Sequence, residues 1–151
     1  MTAAWRKSVA LIALAVAACA STPQASRERD AEAKEFGPDP RSAAVYIYRL
    51  GVNIQGDSVL HVDQKLIGET LSGGFFVVRL RSGVHTLHGI ANDQGRLELE
   101  VRAGELYFVR LTVRSGQSNF DRVSAETGMR EILTCCVLFE NWETGQRPLL
   151  R

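Results

Sequence analysis

The feature that most constrains the fold is a regular alternation of short strand-like segments and turn residues between Ser42 and Val113. β-Branched and aromatic residues fill the segments, while Gly, Asp, Asn and Ser separate them. Such runs are typical of β-strands, and their frequent interruption leaves no room for long helices. The sequence therefore predicts an all-β domain, a small antiparallel β-sandwich, over residues 42–140.

The segments differ in how their apolar residues are spaced. Residues 44–49 are apolar and aromatic almost throughout, which predicts a strand covered on both faces. Residues 96–101 alternate apolar and polar side chains, which predicts a strand with one face in water. Residues 126–133 carry apolar side chains at helical spacing, so we expect one short C-terminal helix.

Residues 1–18 are typical of an export signal. Arg6 and Lys7 precede an apolar run that ends in small residues, and this run is much shorter than the ~20 residues of a membrane-spanning helix. The four residues Val16-Ala17-Ala18-Cys19 resemble the bacterial lipobox, in which the Cys thiol receives a diacylglycerol and the new amino terminus a further acyl chain such as palmitate. The resemblance implies lipidation of Cys19, and Ala20 in place of Asp implies export to the outer membrane.

A polar segment separates this signal from the predicted sandwich. Residues 19–41 contain few large apolar side chains, and Gly37-Pro38-Asp39-Pro40 interrupts regular structure. We expect a flexible linker, with a short helix over 27–35 as an alternative because opposite charges lie within reach of one another. The predicted organisation is a signal peptide at 1–18, a lipidated Cys and flexible linker at 19–41, a β-sandwich at 42–140 and a loose tail at 141–151.

Several short motifs occur in a defined order along the predicted sandwich. They are Ala44-Val45-Tyr46-Ile47-Tyr48-Arg49, Val62-Asp63, Gly74-Phe75-Phe76, Gly83-Val84-His85-Thr86-Leu87 and Ala103-Gly104-Glu105-Leu106-Tyr107-Phe108-Val109-Arg110. Together they resemble an uncharacterised family of bacterial lipoproteins that carries a domain of unknown function. That domain is similar in plan to PEGA-type and transthyretin-like β-sandwiches. The resemblance implies a fold but no activity and no catalytic residues.

Two turn positions depart from the pattern of that family. Gln64 and Ser82 stand where the family has Gly and Pro. Gln adopts positive φ less readily than Gly, so we expect altered turn geometry at these positions without a change of fold.

Histidines are the first candidates for chemistry. His85 and His88 are three residues apart, which on a strand places them on opposite faces. We therefore expect no shared metal ion, and we expect the His85 ring to hydrogen-bond the preceding turn. The sequence assigns no role to His61.

Cys135 and Cys136 are adjacent, and apart from Cys19 they are the only cysteines in the chain. Neighbouring Cα atoms lie ~3.8 Å apart, whereas disulfides usually join Cα atoms ~4.4–6.8 Å apart. The pattern favours two buried reduced thiols that act as small apolar residues. A vicinal disulfide, pairing between molecules and a thiol function remain alternatives in an oxidising compartment.

Four arginines have the strand parity to share one face of a sheet: Arg79, Arg81, Arg110 and Arg114. A solvated face is the simplest interpretation, and a surface that binds anions or glycans is the functional one. Glu98 and Glu100 lie on the predicted wet face of one strand, where they serve solubility.

Composition excludes several function classes. The net charge is +1 and no run of Lys or Arg occurs, which argues against nucleic-acid binding. No phosphate-binding loop and no arrangement of nucleophile and base is recognisable, so we expect no enzymatic activity, no cofactor and no metal. The sequence predicts a lipoprotein on the periplasmic face of the outer membrane, acting as a binding or structural module of the cell envelope.

The expected partners are the membrane, through the lipid, and an envelope protein or peptidoglycan. Two alternative functions stay open. One is a thiol-dependent or stress-linked accessory protein that uses Cys135 and Cys136. The other is a module that binds glycan or peptidoglycan through the four arginines.

Overall fold

A computed structural model describes residues 22–51, 58–90 and 95–141. The predicted signal peptide, Cys19 and all of the predicted tail except Asn141 lie outside these residues. Within them the elements are, in chain order, α1 (Arg27–Ala33), β1 (Ala43–Arg49), β2 (Ser58–Val62), β3 (Lys65–Thr70), β4 (Gly74–Leu80), β5 (Gly83–His88), β6 (Arg96–Val101), β7 (Leu106–Arg114), β8 (Gln117–Val123), α2 (Ala125–Cys135) and β9 (Val137–Leu138).

The strands form two sheets that pack face to face. One sheet has the order β8-β7-β1-β4-β9, and the other has the order β3-β2-β5-β6. The predicted all-β sandwich with one short C-terminal helix is confirmed. The prediction of purely antiparallel pairing is wrong for two strand pairs, because β1 runs parallel to β7 and β4 runs parallel to β9. After β4 the chain forms the β5–β6 hairpin in the second sheet. It returns to the first sheet at the end where β4 finished, so β7 lies beside β1 and runs in the same direction as β1.

The main core lies between the sheets. Alternate residues of β1 point inward, and they meet apolar side chains from both sheets, including Leu60, Leu87 and Val109, each of which is at most 1% exposed. Burial of one such side chain contributes about 1.5–3 kcal/mol. This layer therefore holds the two sheets together.

A second apolar cluster covers the opposite face of the five-stranded sheet. Tyr46, Phe75 and Phe108 belong to it, and the helices α1 and α2 lie over it. The rings of Tyr46 and Phe108 are stacked with their centroids 5.0 Å apart. β1 is consequently buried along its whole length, as its unbroken apolar sequence predicts.

The segment that precedes β1 is part of the folded domain. Thr22 and Ala25 are buried, and Gln24 forms a β-bridge with Phe139. Phe36 follows α1 and packs against the aromatic ring of Tyr46, with the ring centroids 5.2 Å apart. The prediction of a flexible linker is therefore wrong from Thr22 onward. Helices as short as α1 are marginal alone, but this one is stabilised by covering an apolar face that would otherwise meet water.

The turn between β2 and β3 has the backbone of a two-residue hairpin. Asp63 has φ 50° and Gln64 has φ 64°, which is the pattern of a type I′ turn. Gln64 thus adopts the conformation that Gly usually provides, and the hairpin forms despite the substitution. The structure shows no altered turn type here, only a residue less suited to it.

α2 extends one residue before and two residues beyond the predicted 126–133. Ser124 caps it, since its side chain accepts a hydrogen bond from the Thr127 amide at 3.2 Å. Among the residues that the structure describes, no helix is long and apolar enough to cross a membrane.

Candidate functional site

A groove of about 800 Å³ opens at the sandwich edge formed by β3 and β4, and we call it the edge groove. Apolar side chains such as Ile67 and Val77 are part of its lining, and charged groups of both signs stand around them. The charged groups include Arg29, Lys65, Arg79 and Glu140. A groove of this size with mixed polar and apolar walls suits a peptide or another polar ligand of similar volume.

One wall of the edge groove is a partly unpaired strand edge. β9 is two residues long and pairs only with Gly74 and Phe75 of β4. Farther along β4, the Val77 carbonyl accepts a hydrogen bond from the Asn141 side-chain amide at 3.1 Å. Alternation along the strand turns the peptide groups of Arg79 to the same edge. Within residues 22–51, 58–90 and 95–141, no strand pairs with this second half of the β4 edge.

One ion pair and one hydrogen bond hold α1 beside the groove. Arg29 contacts both carboxylate oxygens of Glu140, and Lys34 contacts Asp30 at 2.7 Å. The other Asp30 oxygen accepts the Leu138 amide at 2.7 Å. α1 is thereby attached to the strand segment that ends the groove, although exposed pairs such as Arg29–Glu140 contribute only about 0–1 kcal/mol each.

His85 braces the turn at the other end of the groove. Its Nδ1 lies 2.5 Å from the carboxylate of Asp63, and its Nε2 lies 2.8 Å from the Arg81 carbonyl oxygen. Both partners only accept hydrogen bonds, so the ring satisfies both when it is doubly protonated. Burial acts to lower the pKa of His85, but the contacts with Asp63 and Arg81 outweigh it and raise this pKa above its usual value. The predicted contact of His85 with the preceding turn is confirmed.

Asp63 is held by the same contacts. Burial acts to raise its pKa, but hydrogen bonds from His85 and the Thr86 amide, with the histidine charge, lower this pKa below its usual value. Since both His85 nitrogens and the Asp63 carboxylate bind within the turn, this pair stabilises structure rather than presenting a base to a ligand.

The sequence missed a different histidine pair. His61 on β2 is the cross-strand partner of His88 on β5, and their rings are stacked with centroids 4.7 Å apart. His85 shares none of the hydrogen bonds that these two rings make. No spacing rule could reveal this pair, because 26 residues separate the two histidines in the chain.

The four predicted arginines do not form one surface. Arg79 lies opposite Ala44 of β1, whereas Arg110 lies opposite Tyr48, and the aromatic cluster beneath the helices occupies the sheet between them. Arg81 follows β4 in a turn, and Arg114 is the exposed last residue of β7. Strand parity places Arg79, Arg110 and Arg114 on the predicted common face, but these arginines do not lie together, because two helices cover the middle of that face.

Arg110 belongs to a network under α2. Its guanidinium contacts both carboxylate oxygens of Glu131, at 3.0 Å and 2.5 Å, and Tyr48 donates its hydroxyl to the same carboxylate. Burial and the bond to Glu131 raise the pKa of Tyr48 to about 12. Burial acts to raise the pKa of Glu131, but the bonds from Arg110 and Tyr48 outweigh it and lower that pKa. Arg110 is therefore already paired and contributes no free charge to an anion site.

Cys135 and Cys136 form a disulfide at the junction of α2 and β9. Cys136 is buried, with its sulfur 3.7 Å from the Arg49 carbonyl oxygen, and Cys135 is partly exposed. The favoured prediction of a reduced pair is wrong in this structure, and the vicinal bridge is the alternative that it contains. Nearby, the Gly73 amide donates to the same Arg49 carbonyl at 2.9 Å.

In the part of the chain that the structure describes, no group of three or more His, Cys, Asp or Glu side chains is arranged to hold a metal ion. The described site is thus a groove with a strand edge and two bracing networks, one at α1 and one at Asp63–His85, and the bridged cysteine pair lies outside its lining. These features define the molecule as a two-sheet sandwich with a mixed-charge groove at its open edge.

The chain is similar to an uncharacterised protein of Haemophilus influenzae. The two are 32% identical over 136 residues, which covers 84% of this chain and 80% of the relative. The chain therefore belongs to the same family as that protein. No model of a known protein family and no solved structure matches the chain.

Proposed function

We propose that this protein is a lipoprotein of the outer membrane whose sandwich binds an extended segment of another envelope protein in the edge groove. The observation that carries the proposal is the part of the β4 edge beyond Phe75, which no strand covers within the residues that the structure describes. A strand edge with free N–H and C=O groups takes up an extended peptide by adding it to the sheet, and neighbouring pockets select its side chains. Beyond Phe75, the β4 edge turns the Val77 amide and the peptide groups of Arg79 toward a groove of about 800 Å³, and an incoming peptide would have to displace the Asn141 side chain from the Val77 carbonyl.

The proposed anchor would hold this groove close to the membrane. Two residues, Ala20 and Ser21, separate Cys19 from Thr22. The Thr22 side chain is fixed to β3, because it exchanges hydrogen bonds with the Glu69 amide and carbonyl at 2.8 Å and 3.0 Å. Three extended residues span only about 10 Å. With a lipid on Cys19, the edge that carries the groove would therefore lie close to the membrane surface. A long flexible linker would instead allow it to move far from that surface.

The mixed charge of the groove favours a protein segment over peptidoglycan. Arg79 is half-exposed and lies 4.0 Å from Asp39, and Lys65 and Glu140 stand on other parts of the lining. A lining that carries both positive and negative side chains is complementary to a polar peptide that also carries both signs. The dispersal of the four arginines removes the argument for a continuous glycan-binding surface.

In-cell photocrosslinking of the full-length protein tests the groove. A photoreactive residue is placed at Arg79 or Lys65 in the groove, and at Glu98 as a matched control, because β6 lies at the other edge of the four-stranded sheet from β3. We expect both groove positions to form an adduct with the same envelope protein, and Glu98 to form none. Equal labelling from all three positions would refute the proposal, and so would adducts confined to residues 142–151 of the chain itself.

Membrane fractionation tests the anchor separately. We expect wild-type protein to sediment with outer membranes and to incorporate labelled palmitate, and Cys19→Ala to lose both properties. If Cys19→Ala keeps its membrane association and its label, the anchor proposal is wrong while the groove proposal still stands.

A second candidate function uses the cysteine pair, and the bridge between Cys135 and the buried Cys136 favours it. Cys135 is partly exposed, and an external thiol that reached its sulfur could exchange with the bridge. Under this alternative, a Cys135→Ser/Cys136→Ser double variant loses the cellular phenotype while the crosslinks in the groove persist. An unchanged phenotype removes the thiol function.

A further inference from the structure

The edge groove has two walls of different chemistry, one on each side of the β4 edge. Side chains alternate along β4, so Val77 and Arg79 face α1, whereas Val78 and Leu80 face the space between the sheets. A strand added to this edge continues the same alternation. Its successive side chains would therefore meet the two walls in turn.

The wall toward the space between the sheets is apolar, and we call it the interior wall. Ile67, Val78 and Phe139 line it and belong to the main core. Contact with this wall favours an apolar side chain, because it removes apolar surface from water. Lys65, the first residue of β3, adds one exposed positive charge to this side. The interior wall therefore accepts apolar side chains, or an acidic one opposite Lys65, and repels basic ones.

The wall formed by α1 and the residues that follow it is acidic, and we call it the α1 wall. Arg29, Glu32 and Glu35 line it, and the charge of Arg29 is balanced by Glu140. Within residues 22–51, 58–90 and 95–141, the exposed carboxylates of Glu32 and Glu35 take part in no ion pair. These two negative charges are therefore free to contact a ligand.

One cation on the same side of β4 is also balanced. Arg79 lies 4.0 Å from the carboxylate of Asp39, which Arg41 contacts as well. The Arg41 side chain is 88% exposed, so solvent and salt screen its charge. The charge that the α1 wall presents to the groove is thus negative, and it is concentrated at Glu32 and Glu35.

The stability of α1 does not explain why these two residues are acidic. α1 ends at Ala33, so Glu32 lies in its last turn and Glu35 lies just beyond it. The carboxyl end of a helix carries partial negative charge, which favours Lys or Arg there and disfavours Glu. No basic residue lies in the last turn of α1. A cationic ligand in the groove would explain the two carboxylates, whereas the helix dipole opposes them.

We infer that the edge groove selects an extended segment in which basic side chains alternate with apolar ones. This inference rests on the strand addition proposed above and names the chemistry of the added segment. The basic side chains contact Glu32 and Glu35 on the α1 wall. The apolar side chains contact Ile67 and Val78 on the interior wall, where an acidic one is accepted only opposite Lys65. A segment with acidic side chains toward the α1 wall is rejected by like charge.

Fluorescence anisotropy with synthetic peptides tests the selection, on purified full-length protein in detergent micelles. The probes are an alternating Lys–Val peptide, an alternating Glu–Val peptide of the same length, and the Lys–Val peptide with N-methylated backbone amides. At physiological salt we expect the Lys–Val peptide to bind about tenfold more tightly than the Glu–Val peptide, because two partly screened charges distinguish them. N-methylation should abolish binding, since it removes the backbone donors that pair with a strand edge.

Charge reversal shows which residues select the peptide. Glu32→Lys/Glu35→Lys should reverse the preference, and Glu32→Gln/Glu35→Gln should bind both peptides equally. The matched control is Glu98→Lys/Glu100→Lys on β6, which changes the net charge by the same amount at two exposed positions outside the groove lining. This control should keep the preference for the Lys–Val peptide. Circular dichroism shows that each variant is folded before its affinity is measured.

The inference is overturned if the two peptides bind equally to the wild type, if neither binds, or if the variants at Glu32 and Glu35 keep the wild-type preference. It also fails if the N-methylated peptide binds as tightly as its parent. The crosslinks from Arg79 and Lys65 decide the proposed function separately. If they join the groove to one envelope protein while the peptides show no preference, the groove remains a binding site and only its selectivity for basic segments is wrong.

Discussion

Replacement of Gly128 by Ala should destabilise the protein, although helix propensity alone predicts the reverse. Gly128 lies inside α2 and is buried against β7. A methyl group at this position would lie 2.5 Å from both Cβ and Cδ1 of Phe108. Carbon atoms need ~3.5–4.0 Å, so either the helix or the strand has to move.

The magnitude follows from two opposing effects. Ala is favoured over Gly in a helix interior by about 0.8–1.0 kcal/mol. Overpacking of a filled core costs about 1–3 kcal/mol. The clash here involves the Cβ of Phe108, which is held by the strand backbone and cannot rotate away, so the upper part of that range applies. We therefore expect a net loss of about 1–2 kcal/mol and a fall in Tm of about 5 °C.

Urea unfolding followed by far-UV circular dichroism measures this loss. Gly37→Ala is the matched control, since nothing lies within 4 Å of a methyl group there. Gly128→Ala protein as stable as the wild type, or a loss no larger than that of Gly37→Ala, would refute the reasoning.

Three further substitutions test other parts of the structure. Gln64→Gly should stabilise the protein by about 0.5–1 kcal/mol in urea unfolding, because Gly adopts positive φ without steric cost; a loss of stability would contradict the turn assignment. Asp63→Asn should remove less than about 1 kcal/mol, since the pair with His85 is partly exposed. Because the pKa of His85 is raised in the folded protein, its contribution to the free energy of unfolding is complete below about pH 6.5 and is lost as the pH rises through the pKa of the folded state. Because the pKa of Asp63 is lowered, its contribution is complete above about pH 3.9 and is lost as the pH falls through the pKa of the folded state. The difference between wild type and variant should therefore be largest between about pH 4 and 6.5, and a difference independent of pH would exclude the ion pair. Gly74→Ala should cost more than about 2 kcal/mol in thermal unfolding, because the new methyl group would overlap the ring of Phe139; a small effect would show that this ring moves freely.

Much of the fold follows from local patterns. The unbroken apolar run of β1 predicts a strand buried on both faces, and the alternation in β6 predicts its single buried face. The helix α2 is predicted within two residues at each end. These features depend on side chains that are close in sequence, so their periodicity records which face is buried.

The candidate site is less accessible to such reasoning. The edge groove exists because β9 stops after pairing with Gly74 and Phe75, and no pattern in β4 predicts where its partner ends. The segment from Thr22 is polar and interrupted by Gly and Pro, so its composition resembles that of a linker. The segment folds because it covers the apolar face of the five-stranded sheet, which would otherwise meet water. That face is built from strands distant in sequence, so the composition of the segment does not reveal it.

The sequence by itself determined the strand positions, the hairpin turns, the short helix and the expectation of a lipid on Cys19. Tertiary structure alone decided which distant residues meet: His61 with His88, and Arg110 with Glu131. The reason is physical. Secondary structure responds to the spacing of neighbouring side chains, whereas a binding site depends on which strands the chain brings side by side, and that choice minimises exposed surface over the whole molecule.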